Sequence, residues 1–163
     1  TFNLQIFLNE QCKNAMNLSD FIDSIKLQMS DLESLGTLGY TEGMHTIIFK
    51  EFIDMELFNR PFHCSDLKRE IIYIKDDNKW EKEDPENKKL KNAIRGIEKK
   101  NFKLLNEWAE QHPKINDCNS PDGDKYLKLL NHATSGDNEH MNKVIKKLAK
   151  NIIIDKNIVR INE

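Results

Sequence analysis

The most constraining feature of the sequence is a long segment, Glu86 to about Gln111, in which apolar residues recur at helical spacing. The apolar positions are Leu90, Ile94, Ile97, Leu104 and Trp108. This spacing predicts an amphipathic helix of about 26 residues, or roughly 39 Å, ended by His112 and Pro113. Such a stripe must be covered, either by other parts of the chain or by a second copy.

The same stripe advances in steps of four and three residues, as a coiled-coil seam does, and Asn101 occupies a position where such seams often specify register. Two arrangements therefore stay open. We expect the stripe to be buried within the monomer, and a homodimer is the main alternative.

Helical patterns also precede and follow this segment. They predict helices over about 19–35, 41–58, 125–133 and 139–149. Asn17 or Ser19 would cap the first helix, and Gly36 and Gly39 would end it. The first two helices are joined by a short link, so we expect them to pack antiparallel. Residues 114–123 are rich in turn formers and predict a loop.

Three segments favour β-structure. Residues 2–8 alternate as a strand would. Residues 70–75 are β-branched and aromatic, 76–78 form a turn signal, and 79–82 would pair back as a short hairpin, with helix as the competing interpretation of 70–75. The tail, 152–154 and 158–159, would close the domain as a strand.

Together these patterns predict one domain over residues 1–163, mainly α with a small β component (α+β): a helical domain with a short hairpin. The chain starts with Thr1, and a strand pattern begins almost at once. We therefore expect the domain to belong to a longer protein.

Composition limits the classes of function. The formal net charge of -2 excludes a uniformly basic nucleic-acid binder, although local patches still matter. No apolar run approaches the roughly 20 residues that cross a bilayer, so we expect no membrane association. Three widely spaced cysteines, Cys12, Cys64 and Cys118, favour reduced thiols and an intracellular location.

The sequence carries no motif for a metal or a cofactor. Its histidines and cysteines lack the closely spaced pairs of a zinc site, and GxGxxG, P-loop, HExxH and GxSxG motifs do not occur. We therefore predict no metal, no cofactor and no identifiable catalytic residue. The adjacent His63 and Cys64 favour a packing or turn role, because chain neighbours rarely point at each other as a nucleophile and its base.

Charged residues surround the predicted hairpin and leave a nuclease interpretation open. The carboxylates are Asp66, Glu70, Asp76, Asp77 and Glu81, and the lysines are Lys68, Lys75 and Lys82. Such groups hold Mg²⁺ and activate water in nucleases, but the acidic-x-Lys signature is incomplete here, and charges beside a hairpin are usually solvated. We retain one candidate functional cluster: His63, Asp66, Lys68 and Arg69.

The two tryptophans are candidates for stacking on a base. They are Trp80 and Trp108. Trp108 lies on the apolar stripe of the long helix, so we expect it in the core.

The opposite face of the long helix is basic. At 100° per residue, one sector of about 120° contains five cations. These are Lys88, Lys91, Arg95, Lys99 and Lys103, called the basic ridge from here on. We expect a solvated outer face, and the alternative is weak, sequence-indifferent contact with nucleic-acid phosphates.

Several runs resemble an uncharacterised domain of giant nucleocytoplasmic DNA viruses related to mimivirus. They are Ile6–Asn17, Arg60–Glu70, Tyr73–Asp76 and Lys79–Trp80, with a weaker likeness from Ser120 to Ile154. Lys, Asn and Ile make up about a third of the chain, which agrees with an AT-rich viral genome. In that family the domain tends to follow a Cys/His zinc-finger-like segment, which this sequence lacks. The resemblance implies a viral protein in the host cytoplasm or viral factory, and it supplies no catalytic residues.

Two functions stay open. The first is a noncatalytic domain of a viral nucleic-acid-associated protein, which would contact another copy or another viral protein while an upstream module grips nucleic acid. The second is a metal-dependent nucleic-acid processing enzyme, nuclease-like, with its site at the charged hairpin.

Overall fold

Helices form most of the chain, and one small antiparallel sheet lies among them. The structure is a computed structural model that describes residues 1–117 and 119–157. It confirms the predicted class, mainly α with a small β component. The elements are α1 (Leu4–Ile6), α2 (Leu18–Ser24), α3 (Met29–Leu38), α4 (Tyr40–Ile53), β1 (Phe62–Asp66), β2 (Ile71–Asp76), β3 (Lys79–Lys82), α5 (Lys88–Glu110), α6 (Pro121–Ala133) and α7 (Asn138–Asn151).

The hairpin predicted from the sequence is present as β2 and β3, so the helical interpretation of 70–75 is wrong. Lys75 lies opposite Trp80 in this antiparallel pair. The two turn residues, Asp77 and Asn78, have φ angles of 51° and 62°. Positive φ at both positions is the geometry of a type I′ turn, whose twist matches that of the strands.

The third strand, β1, is not predicted by its sequence. It pairs antiparallel with β2 at the free side of the hairpin, with a β-bulge between Cys64 and Asp66. Its residues, Phe-His-Cys-Ser-Asp, show neither alternation nor a run of β-branched side chains. Pairing with the hairpin rather than local propensity therefore determines this strand.

Both faces of the sheet are covered, by different parts of the chain. One face carries Phe62, Cys64, Ile72 and Ile74 into the main hydrophobic core, together with side chains from α2 to α7. The other face is covered by the N-terminal segment, residues 1–16. This second core consists of Phe7, Leu8, Cys12, Ala15 and Ile154.

The N-terminal segment is helical, so the predicted opening strand is wrong. α1 runs on into one π-helical turn over Phe7–Gln11, and Asn3 caps α1 by accepting a hydrogen bond from the Ile6 amide at 3.1 Å. Phe7 and Leu8 are both buried. Two consecutive buried residues fit a helix that is pressed into a groove, whereas a strand would send them to opposite sides.

Two side chains of the hairpin hold this segment in place. The ammonium group of Lys75 donates to the carbonyl oxygens of Lys13 at 2.6 Å and Ala15 at 2.8 Å, although Lys75 is only 7% exposed. Its cross-strand neighbour Trp80 donates its indole N–H to the Cys12 carbonyl oxygen at 3.1 Å. The hairpin thereby satisfies three backbone acceptors where the π-helical turn ends.

The long helix is confirmed as α5, and its apolar stripe is buried inside the chain. The buried residues are Leu90, Ile94, Ile97, Asn101, Leu105 and Trp108. They pack against α2, α3, α6 and α7. Leu104, which the sequence analysis places on the stripe, is only partly buried, and Leu105 lies there instead. The stripe is thus filled within the monomer, as expected, and it is not free to form a seam with a second copy.

The ends of α5 are fixed by neighbouring groups. A buried carboxylate, that of Glu83, accepts the Leu90 amide at 2.9 Å and so caps the first turn. The Glu83 amide in turn donates to the Ile72 carbonyl oxygen at 2.7 Å, which ties the helix start to the sheet. At the other end the His112 ring stacks on Trp108 with a centroid distance of 3.9 Å.

The predicted helix over 19–35 is two helices. The chain bends between α2 and α3, where the Lys100 ammonium donates to the Ile22 and Ile25 carbonyl oxygens, both at 2.6 Å. The side chains of Gln28 and Asp31 then form a capping box for α3. A cation from α5 therefore satisfies the end of α2, a contact that no local sequence pattern reveals.

The helices α3 and α4 meet at a glycine, and their extent differs from the prediction. Gly39, with φ of 85°, ends α3 and begins α4, whereas Gly36 lies inside α3. α4 ends at Ile53, and residues 57–59 form a separate 3-10 turn. The two helices are in contact, and Gly43 is needed there, because a Cβ would lie 2.6 Å from the Leu35 Cδ1 atom.

The last two helices agree with the sequence pattern, although α6 begins earlier than expected. Ser120 and Asp137 cap α6 and α7 through their side-chain oxygens. Beyond α7, Cys64 of β1 forms one isolated parallel bridge with Ile153, so the predicted closing strand at 152–154 is wrong beyond this single residue. The predicted continuation at 158–159 lies outside the described residues. In the described part of the chain, no helix has the length and apolarity to span a membrane.

The Lys75 contacts predict a measurable loss of stability. Replacing Lys75 with Met leaves the carbonyl groups of Lys13 and Ala15 without a donor. We expect the free energy of unfolding to fall by about 2–3 kcal/mol in urea denaturation, because buried acceptors lose charged hydrogen bonds. The matched control is Lys82→Met at an exposed position of β3, which should change stability by less than about 0.5 kcal/mol. Equal losses in the two variants would contradict this role of Lys75.

Candidate functional site

The basic ridge lies on the exposed side of α5. Lys88, Arg95, Lys99 and Lys103 are exposed, and Lys91 at one flank is half-buried. The ridge covers 15 helical steps, or about 22 Å at 1.5 Å per residue. The ridge faces solvent because the apolar stripe on the opposite side of the same helix is buried in the core.

Four of the five ridge cations are not neutralised by an ion pair among the described residues, although Arg95 lies close enough to Tyr40 to interact electrostatically with its hydroxyl. Lys88, Arg95, Lys99 and Lys103 make no ion pair and no side-chain hydrogen bond in that part of the chain. Lys91 donates to the side-chain oxygen of Asn138 at 2.5 Å, which leaves its charge uncompensated.

Other lysines of the chain do find carboxylates. Lys89, one position from the ridge, pairs with Glu81 at 3.4 Å, and Lys125 pairs with Glu33 at 3.2 Å. The chain has slightly more acidic than basic residues, 27 against 25. The unpaired ridge is therefore a local concentration of positive charge on a protein with a small net negative charge.

Two acidic residues near the ridge, Glu98 and Glu81, are directed elsewhere, whereas Glu86 lines one cavity with Lys88 and Lys91. Glu98 lies on the flank of α5, where its carboxylate accepts the Tyr40 hydroxyl at 2.5 Å, and burial together with this contact raises the pKa of Tyr40. Glu81 accepts from Lys79 and Lys89, which lowers the pKa of its carboxyl. Within the acidic stretch 76–86, Glu81 and Glu83 are tied to other partners, and Glu86 lies closest to the start of the ridge.

The charged residues of the hairpin do not form one site. Asp66 and Glu70 lie at the start of β2, and Asp76 and Asp77 at its end, about 17 Å away for a six-residue strand. Asp76 accepts hydrogen bonds from the amide and hydroxyl of Ser19, at 3.4 and 3.0 Å. Within residues 1–117 and 119–157, no three His, Cys, Asp or Glu side chains gather as metal ligands.

The candidate cluster His63, Asp66, Lys68 and Arg69 is not brought together. His63 is 1% exposed, beneath the N-terminal segment. Asp66 accepts the Arg69 amide at 3.0 Å within the turn between β1 and β2, and Lys68 points from this turn as an exposed residue. The alternation of a strand explains part of this separation, since His63 and Cys64 face opposite sides of the sheet.

The ring of His63 contacts the sulfur of Cys12. The Cys12 Sγ atom lies 3.8 Å from His63 Nε2, and the two residues are 51 positions apart. Burial raises the pKa of the Cys12 thiol to about 12, and burial with the nearby charge of Arg60 lowers the pKa of His63 to about 4. Both groups are therefore neutral at pH 7, the opposite of a thiolate–imidazolium pair. This contact is a packing interaction.

The tryptophans have structural roles. Trp108 is 1% exposed in the main core, as expected, and Trp80 is half-buried with its indole N–H bound to the Cys12 carbonyl oxygen. Cys64 is buried and free, and Cys118 lies outside the described residues. Glu83, Lys75 and Lys100 organise the fold but could not be recognised from the sequence. Each binds backbone groups, which carry no sequence signal, and the partners of Lys75 and Lys100 lie far away along the chain.

Comparison with known proteins gives no match: no family model, no curated protein and no solved structure is similar to this chain at a significant level.

The buried neutral His63 predicts a pH-dependent stability. Unfolding moves its ring into water, where the pKa returns to about 6.5, so the unfolded chain binds more protons below that pH. The free energy of unfolding should therefore fall as the pH drops from about 6.5 towards 4, by about 2 kcal/mol between pH 7.5 and pH 5. Urea denaturation at both pH values measures this. In His63→Gln this component should disappear, and an unchanged pH dependence in the variant would contradict the assignment.

Proposed function

We propose that this chain is a noncatalytic domain of a viral nucleic-acid-associated protein, and that the basic ridge is its contact with nucleic acid. The single observation that supports this most strongly is the row of exposed cations on α5 without carboxylate partners. Phosphates are the natural counter-charge for such a row, and they bind lysine and arginine without any catalytic apparatus.

The surroundings of the ridge make it a fixed surface. α5 is capped by Glu83, tied to the sheet, and packed against four other helices. The backbone that carries the cations is therefore ordered before any ligand arrives, which lowers the entropy that binding must overcome.

The viral part of the proposal is supported by the sequence resemblance to a domain of giant DNA viruses. The proposal also includes contacts between this domain and another copy or another viral protein. The nuclease alternative has less support. Its carboxylates lie at two ends of β2, and Asp76 and Glu81 already have partners.

A charge-reversal variant tests the proposal. Changing Arg95, Lys99 and Lys103 to Glu should weaken binding to a random-sequence nucleic acid at low salt by at least about tenfold, because attraction is replaced by repulsion. Fluorescence anisotropy with a labelled oligonucleotide measures the affinity, and circular dichroism checks the fold.

The matched control changes Lys68, Lys128 and Lys150 to Glu, which are exposed lysines outside α5. It alters the net charge equally and should retain most of the affinity. Equal loss in both variants would indicate a net-charge effect and reject the ridge. Cleavage of the oligonucleotide with Mg²⁺, lost in Asp66→Ala, would instead favour the nuclease.

A further inference from the structure

We infer that the basic ridge recognises a duplex through its phosphates alone, rather than single-stranded nucleic acid or base edges. This rests on the proposed function and deepens it by naming the form of the ligand. Three properties of the described residues carry it: the absence of an exposed aromatic, the embedding of α5, and the regular spacing of the cations.

The chain offers no surface on which unpaired bases could stack. Proteins that hold single strands without sequence preference combine a positive groove with aromatic side chains that stack on successive bases. This chain has 13 aromatic residues, all within the described part, and each of them is buried or half-buried. On the ridge helix itself, Trp108 is in the core and Phe102 is only half-exposed.

The ridge helix is also too deeply embedded to enter a groove. A recognition helix lies in the major groove, which is about 12 Å wide, and an α-helix with side chains is 10–12 Å across. α5 is held on one flank by the Lys100 contacts to α2 and on the other by the Lys91 contact to Asn138. Only its outer sector projects, so base edges at the groove floor are out of reach and the contacts stop at the backbone.

The arrangement of the cations suits a stiff row of phosphates. Lys91, Arg95, Lys99 and Lys103 follow one another at four-residue intervals, about 6 Å along the axis. A duplex carries one charge per roughly 1.7 Å of its axis, twice the density of one strand, and its phosphates are already ordered. A fixed array of charges therefore gains more from a duplex than from a flexible strand that must be ordered first.

Contact with phosphates alone does not separate DNA from RNA. The expected ligand class is a duplex of either kind, bound weakly and without sequence preference. Neighbouring Asn92 and Asn106 are exposed on the same sector of α5 and provide further donors to phosphate oxygens.

The test is a salt titration with four probes: two DNA duplexes of unrelated sequence, an RNA duplex, and a single-stranded DNA of equal length. Anisotropy at low and moderate salt should give similar affinities for the two DNA duplexes and at least about tenfold weaker binding of the single strand. The slope of log K against log salt should be about -3 to -4.5 if three to five phosphates are contacted.

A single substitution makes the test residue-specific. Arg95→Gln should reduce the magnitude of that slope by about one for every duplex sequence, whereas Lys128→Gln on α6 should leave it unchanged. A preference for the DNA or the RNA duplex identifies the source of the phosphates, and either result supports the inference.

Other outcomes overturn it. Tighter binding of the single strand that is lost in the ridge charge-reversal variant rejects the duplex inference and leaves the proposed function standing. A clear difference between the two DNA sequences shows base readout and likewise rejects it. If no probe binds at low salt, the proposed function fails together with the inference.

Discussion

Burial of the α5 stripe is the interaction on which the rest of the structure depends. Four helices, α2, α3, α6 and α7, all contact this one helix. Full burial of a Leu or Ile side chain stabilises the fold by about 1.5–3 kcal/mol, so the stripe contributes on the order of 10 kcal/mol before chain entropy is subtracted. By comparison, like charges four residues apart on a helix cost about 0.2–0.5 kcal/mol per pair. The fold can therefore sustain an uncompensated row of cations on the outer face of α5, because burial of the inner stripe stabilises the helix far more than repulsion between the cations destabilises it.

The parts of the fold that could be predicted are those governed by local pattern. The period of α5, the turn residues of the hairpin, and the helical patterns of α6 and α7 are all visible in short windows of sequence. The N-terminal strand prediction failed because alternation over seven residues also fits a short helix pressed into a core. β1 and the break between α2 and α3 could not be foreseen, since each depends on a partner far along the chain: the hairpin for β1 and Lys100 for α2.

A similar division applies to the candidate site. The direction of the basic ridge follows from helical geometry and could be read from the sequence. Which cations remain unpaired could not, because Lys89 and Arg95 look alike until Glu81 is found beside only one of them. Likewise His63 and Asp66 are near in sequence, yet strand alternation and the β-bulge place His63 against the second core and Asp66 at the partly exposed end of β1.

The second core joins two regions that are far apart in the chain. Ile154, after α7, lies with Phe7, Leu8 and Cys12 on the same side of the sheet, and the Cys64 amide and carbonyl bind Ile152 and Ile154, each at 2.9 Å. Each region covers apolar surface of the other, so neither is fully protected when the other detaches. Residues 1–16 and Ile154 should consequently open as one cooperative unit, a foldon assembled from segments separated by most of the chain. Because its loop is so long, this unit completes late in folding, after the hairpin and the α5 bundle have formed the surface on which it docks.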